Sequence, residues 1–327
     1  MAIYTLFTLT TWPCMSSWKI LITDGLHTAG QAILRAHAEV ADLKGISRVD
    51  LLGEIAGYDA LIVRSRTVID AHIITKPSRL RVIGRAGVGV DNIDLISAEQ
   101  QGILVVNAPS ATSRAVAEYT LALLFTLARS IPQANASTKA GKWQKNELVG
   151  VELYGKVLGI IGVGNIGSLV SRTAAGLGMQ VIGHDPFLSD ELISKRGAKP
   201  VPLSELYRSA DFISLHTPFV ESAHALINRH TLEEMKTGIC IVNTARGGLV
   251  DETALFEALE SGKVSGAALD VYAEEPPRNS ALVAHPRVIA TPHIAAQTRE
   301  AQERTAVDIA QEVLAALRGA QLRWRVV

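Results

Sequence analysis

The sequence predicts an α/β protein built from two doubly wound parallel-sheet units, the first of them discontinuous along the chain. Three observations carry this. Strand-like apolar runs alternate with helix-like segments almost throughout, the pattern of a parallel sheet covered by helices. The stretch from Val157 to Asp185 reads strand, glycine turn, helix and strand in unbroken order. The last amphipathic segment, 298–318, follows the final strand of the second unit and is expected to return to the first, with Ala306, Ile309, Ala310, Val313, Leu314 and Leu317 on one stripe.

In the first unit, strands are expected at 18–23, 39–43, 59–63, 81–84 and 103–107, each a short apolar run. Helices are expected at 28–37 and 94–101, the second ended by Gly102. The pattern changes around Ala108-Pro109. A long apolar helix over 113–129 follows, interrupted by Glu118 and flanked by Arg114 and Arg129. Its apolar window is shorter than the ~20 residues that span a bilayer, so it reads as a buried helix. A segment 131–141 with Trp143 leads into the second unit. There, strands are expected at 157–161, 180–183, 211–215, 239–243, 264–269 and 288–290, and a helix at 252–260 ends at Gly262. The expected boundaries are 18–107 with 296–327 for the first domain and 108–295 for the second. Residues 1–17 read as a disordered or artefactual extension, with Met15 as an alternative start.

The chain has 327 residues, 48% hydrophobic, with zero formal net charge. That suits a compact soluble enzyme and gives no electrostatic reason to expect nucleic acid or an anionic membrane as partner. Cys14 and Cys240 make no disulfide framework, and no Cys/His cluster has metal-ligand spacing, so no metal is expected. Both facts suit a reducing cytoplasm. The first residues lack the basic start of a secretory signal, since Lys19 is the first basic residue.

The 157–185 stretch has specific chemistry. Gly162, Gly164 and Gly167 stand in G-x-G-x-x-G spacing between strand and helix. The first permits the tight turn, the second lets backbone approach a pyrophosphate, and the third lets helix and strand pack closely. Amides at the helix N-terminus face the phosphates. Asp185, at the end of the next strand, is placed to accept hydrogen bonds from a ribose diol and to repel a 2′-phosphate, and no Arg follows it directly. The expected cofactor is NAD rather than NADP, on a Rossmann-like fold.

Ligands of such sheets bind beyond the carboxyl ends of the strands. Polar residues recur there: Arg64, Arg85, His216-Thr217, Thr244-Ala245-Arg246, Asp270, Glu275 and His293. Arg246 can fork onto a carboxylate or carbonyl. His293 is a natural acceptor of an alcohol proton. Glu275, stiffened by Pro276, can hold one imidazole nitrogen and raise the basicity of the other. Each has a plain structural explanation alone; on a dinucleotide fold the three form a hydride-transfer set.

Several stretches together are similar to the D-isomer-specific 2-hydroxyacid dehydrogenase family: 87–94 (GVGVDNID), 157–185, His216-Thr-Pro218, 243–248 (NTARGG), 268–272 (ALDVY), Glu275-Pro276 and Pro292-His293. The resemblance runs from about Lys19 to Arg318. It implies that Arg246 binds and orients substrate, that His293 is the acid/base and that Glu275 is its partner. It implies cofactor contacts at Val88, Gly162, Gly164, Asn165, Ile166, Gly167, Asp185, Thr217, Thr244, Ala245, Asp270, Ala295 and Ala296, with Asp270 near the nicotinamide amide. It places Arg64, Arg85, Gly87, Val88 and Gly89 at the substrate, the arginines near its phosphate and carboxylate. Helix 113–129 and the segment to Gly150 would form a dimer interface, in a homodimer or homotetramer.

The implied reaction is NAD-dependent oxidation of the C2 hydroxyl of D-3-phosphoglycerate to 3-phosphohydroxypyruvate, the entry to serine synthesis. Glyoxylate, hydroxypyruvate or D-lactate turnover is the alternative within the family. An NAD-sensing corepressor is the alternative of another class. The chain departs from many relatives in having Ala295-Ala296 after the histidine. It also stops near the end of helix 298–318, where longer relatives append a serine-sensing domain, so feedback control through such a domain is not expected.

Overall fold

The structure is a computed structural model that describes residues 18–219 and 225–327. The expected extension 1–17, with Cys14 and Met15, lies outside the described residues. The chain divides into two compact units: one runs to Ala111 and resumes at Gln302, and the other is Thr112–Ala301.

The first unit alternates β1 (Trp18–Ile22), α1 (Thr28–Arg35), β2 (Ala38–Asp42), α2 (Arg48–Glu54), β3 (Ala60–Val63), α3 (Ala71–Ile74), β4 (Val82–Arg85), α4 (Leu95–Gln100) and β5 (Leu104–Val106). Its parallel sheet has the order β2-β1-β3-β4-β5. Successive strand residues point to opposite faces. Ile20, Ile22, Ile62, Val82 and Val106 enter one core cluster, and Leu21, Leu61, Val63, Ile83 and Val105 the other. Burial on both sides explains why the strands read as unbroken apolar runs. The helices absent from the sequence reading, α2 and α3, are short and start at Ser47 and Asp70, whose side chains cap the first turn.

The second unit begins with α5 (Ser113–Arg129) and α6 (Ile131–Lys139). Then come β6 (Val157–Ile161), α7 (Asn165–Gly176), β7 (Gln180–His184), α8 (Asp190–Lys195), β8 (Lys199–Pro200), α9 (Leu203–Ser209) and β9 (Phe212–Leu215). It continues with α10 (Arg229–Glu234), β10 (Ile239–Asn243), α11 (Glu252–Glu260), β11 (Val264–Leu269), α12 (Ala281–Ala284) and β12 (Val288–Ala290). The parallel order is β12-β11-β10-β9-β6-β7-β8. Strand order reverses between β6 and β9, where an open α/β sheet forms its ligand crevice. The expected buried helix is α5, but it buries one face only: Leu124 is fully buried and Phe125 is 42% exposed.

The final helix, α13 (Arg299–Leu317), returns to the first sheet as its stripe predicted. Ile309, Ala310, Val313, Leu314 and Leu317 complete the cluster that holds Ile20, Ile62 and Val82. The approach is close: a Cβ on Gly84 would stand 2.5 Å from a Val313 methyl. Beyond α13 the chain runs antiparallel along β5. Val326 N–H donates to Val105 O at 2.8 Å and Val105 N–H to Val327 O at 3.2 Å. Glu312, 2% exposed, anchors that return by accepting from Arg323 Nε at 2.7 Å and from the amides of Arg323 and Trp324.

Because α13 supplies one wall of this core, Ile309→Ala is expected to destabilise the first unit by about 2–5 kcal/mol, the range for removing a large buried aliphatic side chain. A chemical-denaturation curve that matches the parent would contradict that role for the helix.

Candidate active site

In the second unit the nucleotide-type turn lies at the reversal of strand order. Gly162 has φ +92°, and a Cβ there would lie 2.6 Å from His216 O, so only glycine fits between the ends of β6 and β9. A Cβ on Gly167 would lie 2.0 Å from Gly162 O, which locks α7 against the turn. Nothing stands within 4 Å of a Cβ on Gly164, the residue before α7, so its side of the turn is open for a ligand. The first amides of α7, from Asn165 and Ile166, are donors without intrahelical partners. Asp185 directly follows β7. Its Oδ2 accepts from Val163 N–H at 3.0 Å and its Oδ1 from Phe187 N–H at 3.0 Å, leaving lone pairs for a diol. These residues fit the adenosine and pyrophosphate of NAD. Arg196, which sequence reasoning missed, donates to Val163 O at 2.7 Å and braces the same turn.

Farther along the same sheet edge lie Arg246, Glu275 and His293. Asn243, fully buried at the end of β10, shapes the first loop: its amide donates to Arg246 O at 2.8 Å and its carbonyl accepts from Ala245 N–H at 3.0 Å. Arg246 Nη1 bonds Ala245 O at 2.7 Å. Thr244, 8% exposed, meets the buried Thr120 hydroxyl at 2.9 Å. Thr217 follows the end of β9, beside the Gly162 turn.

His293 Nδ1 is 2.7 Å from Glu275 Oε2, and Glu275 Oε1 accepts from Tyr272 N–H at 3.2 Å. Burial pushes the Glu275 carboxyl up. The His293 hydrogen bond and charge, the Tyr272 amide and the Arg246 charge together outweigh it and hold the group below its ordinary value. A carboxylate there accepts a hydrogen bond from Nδ1–H and leaves Nε2 as the basic nitrogen. His293 has φ +54° and its side chain is 45% exposed. His216 also stands at a strand end but differs. Burial pushes its pKa down to about 3, and its Nε2 pairs with Ser214 Oγ at 2.9 Å. It is a neutral structural group.

Asp270, fully buried after β11, holds the His293 turn from within. Its carboxylate accepts from Thr291 Oγ1 at 2.6 Å, Ile294 N–H at 2.9 Å and Ala295 N–H at 2.8 Å. Sequence reading placed Asp270 at the cofactor but did not give it this bracketing contact on both sides of His293. Ala295 is buried and Ala296 half-buried in the same turn.

In the first unit Arg64 follows β3, and Asp24 follows β1, at that sheet's own reversal of order. Asp24 accepts from Arg64 N–H at 2.7 Å, Arg66 Nε at 2.9 Å and Thr67 Oγ1 at 2.6 Å. Arg66 is thereby engaged. The Arg64 guanidinium is half-buried, and burial lowers its pKa while nearby Asp24 opposes the shift. Arg85 is the last residue of β4. Its guanidinium folds over Gly87, where a Cβ would lie 1.5 Å from Nη1. Asn107 fixes the same loop by donating to Val88 O at 2.7 Å, and Gly89 follows Val88.

A profile of the D-isomer specific 2-hydroxyacid dehydrogenase NAD binding domain matches residues 121–295. The chain belongs to the D-isomer-specific 2-hydroxyacid dehydrogenase family. Its NAD-binding domain is the unit that carries the glycine turn and His293. The chain is 47% identical over 302 residues to D-3-phosphoglycerate dehydrogenase of Methanocaldococcus jannaschii, covering 92% of this chain and 58% of that one. It is 45% identical over 305 residues to the Homo sapiens enzyme of that name, covering 93% and 57%. The chain thus spans less than two thirds of the length of both. Among solved structures, the TT0316 protein of Thermus thermophilus is similar with TM-score 0.87 and 36% identity, over 94% of this chain and 100% of that one. A glyoxylate reductase from Paecilomyes thermophila gives TM-score 0.88 and 30% identity, over 95% and 99%.

The depressed Glu275 pKa has a consequence for stability. Its folded value lies below the reference value of 4.5, so its contribution is complete above that pH and is lost as pH falls through the lower folded value. Glu275→Gln is expected to lower Tm at neutral pH and to flatten the fall of Tm on acidification. An unchanged Tm–pH curve would show that the pair contributes nothing to the fold.

Proposed function

We propose that the protein oxidises the C2 hydroxyl of D-3-phosphoglycerate to 3-phosphohydroxypyruvate with NAD, the entry to serine synthesis. The observation that carries the reading is the His293–Glu275 pair, 2.7 Å apart and half-exposed at the ligand-binding edge of an NAD-binding sheet. NAD, when bound, supplies the hydride acceptor. The chain's own residues position the substrate and manage the proton. Glu275 holds the Nδ1 proton of His293, and Nε2 takes the proton of the C2 hydroxyl; in reduction it returns it. Arg246 takes the substrate carboxylate. Arg64 and Arg85 take the phosphate, a doubly charged group that accounts for two guanidiniums at one sheet edge.

The similarity to enzymes named D-3-phosphoglycerate dehydrogenase supports the phosphorylated substrate. We further infer a homodimer or homotetramer. Phe125, Ile131, Trp143, Val149 and Tyr154 leave large apolar groups exposed along α5, α6 and the segment after them. A cytoplasmic site of action agrees with a sequence that has no disulfide framework.

His293→Ala is expected to lower kcat by a factor on the order of 10²–10⁴, the usual worth of a positioned acid/base, while NADH binding stays near the parent's. Turnover close to native would overturn the assignment. Arg64→Ala is expected to reduce kcat/KM for phosphohydroxypyruvate roughly 10- to 150-fold, equivalent to one hydrogen bond to a charged group. Hydroxypyruvate, which lacks the phosphate, should lose much less. Equal losses on both substrates, or faster turnover of glyoxylate than of the phosphorylated acid by the parent, would move the substrate to the unphosphorylated class.

A further inference from the structure

Thr120 is out of place by composition. It is fully buried on the face of α5 that also buries Val116, Ala117, Leu123 and Leu124. A valine would fill that space without a polar demand, and a buried hydroxyl is costly unless it is paired. The pairing is specific. Thr120 Oγ1 donates to Val116 O one turn back, at 2.8 Å. Its single proton is thus committed, and its oxygen remains as an acceptor. The partner at 2.9 Å is Thr244 Oγ1, so the Thr244 hydroxyl is the donor and its proton points into the protein. The Thr244 oxygen then offers only lone pairs to any ligand at the sheet edge. That suits an amide N–H donor and not a carbonyl acceptor.

We propose that Thr120 is a positioning residue: it presets Thr244 as a hydrogen-bond acceptor for an amide group of the bound cofactor. The proposal rests on the reading of Thr244 as part of the cofactor site.

The test uses the whole chain with Thr120→Val, Thr120→Ser and, as a reference, His293→Ala. NADH titration, kcat and Tm are measured for each. Thr120→Val should weaken NADH binding roughly 3- to 10-fold, the worth of one neutral hydrogen bond. Thr120→Ser keeps the hydroxyl and should stay within about twofold of the parent. The proposal is overturned by native NADH affinity in Thr120→Val or by equal loss in the Val and Ser variants. If those results come with an inactive His293→Ala, the positioning role alone fails. If His293→Ala keeps its turnover, the site reading fails and the positioning role with it.

Discussion

The candidate site depends on one buried carboxylate. Asp270 lies at the end of β11 with no exposed surface, and three donors converge on it from the segment Thr291 to Ala295. A carboxylate removed from water is expensive unless its lone pairs are taken up, so the segment cannot relax without leaving the group unpaired. The turn it enforces puts His293 at φ +54°, a conformation that a residue with a side chain adopts only when its surroundings over-determine it. Glu275 then needs only its own short loop to reach Nδ1. The His293–Glu275 pair is thus a surface feature held by an interior one, and its geometry is set by the fold.

The same logic recurs in both sheets. Strand order reverses at β6 and β9 in one unit and at β1 and β3 in the other. At each reversal the connections leave in opposite directions and open a gap at the carboxyl edge. Backbone crowding at Gly162 and Gly167 shapes the gap in the first case. In the second, Asp24 gathers the loop after β3 by engaging Arg66 and Thr67, and so separates the structural arginine from Arg64.

Much of this was legible in the sequence because it follows from local period and local chemistry. The apolar runs mark the strands, since both faces of a parallel sheet are buried. The glycine spacing marks the turn, since only glycine clears His216 O and Gly162 O there. The stripe on α13 marks its return to Gly84. The rest depends on partners distant in sequence. Nothing near Thr120 announces Thr244, 124 positions on. Nothing near Arg196 announces Val163. Asp24 was within reach, since it directly follows a predicted strand, but its bond to Arg66 separates two arginines that look alike in the sequence. Short helices such as α3 and α12 offer too few residues for a periodic signal and are recognisable only by their capping Asp70 and Ser280.

The antiparallel return of the last residues along β5 has a further effect. An edge strand offers unpaired amides and carbonyls to any extended chain that meets it, and it is a common start of unwanted self-assembly. Here Val105 and Asn107 give their N–H groups, and Val105 its carbonyl, to the protein's own tail. Buried Glu312 keeps that tail from peeling away. The tail therefore acts as a guard: it closes one side of the sheet to strand exchange between molecules, at the side where the first unit's apolar strands would otherwise be extended by a stranger.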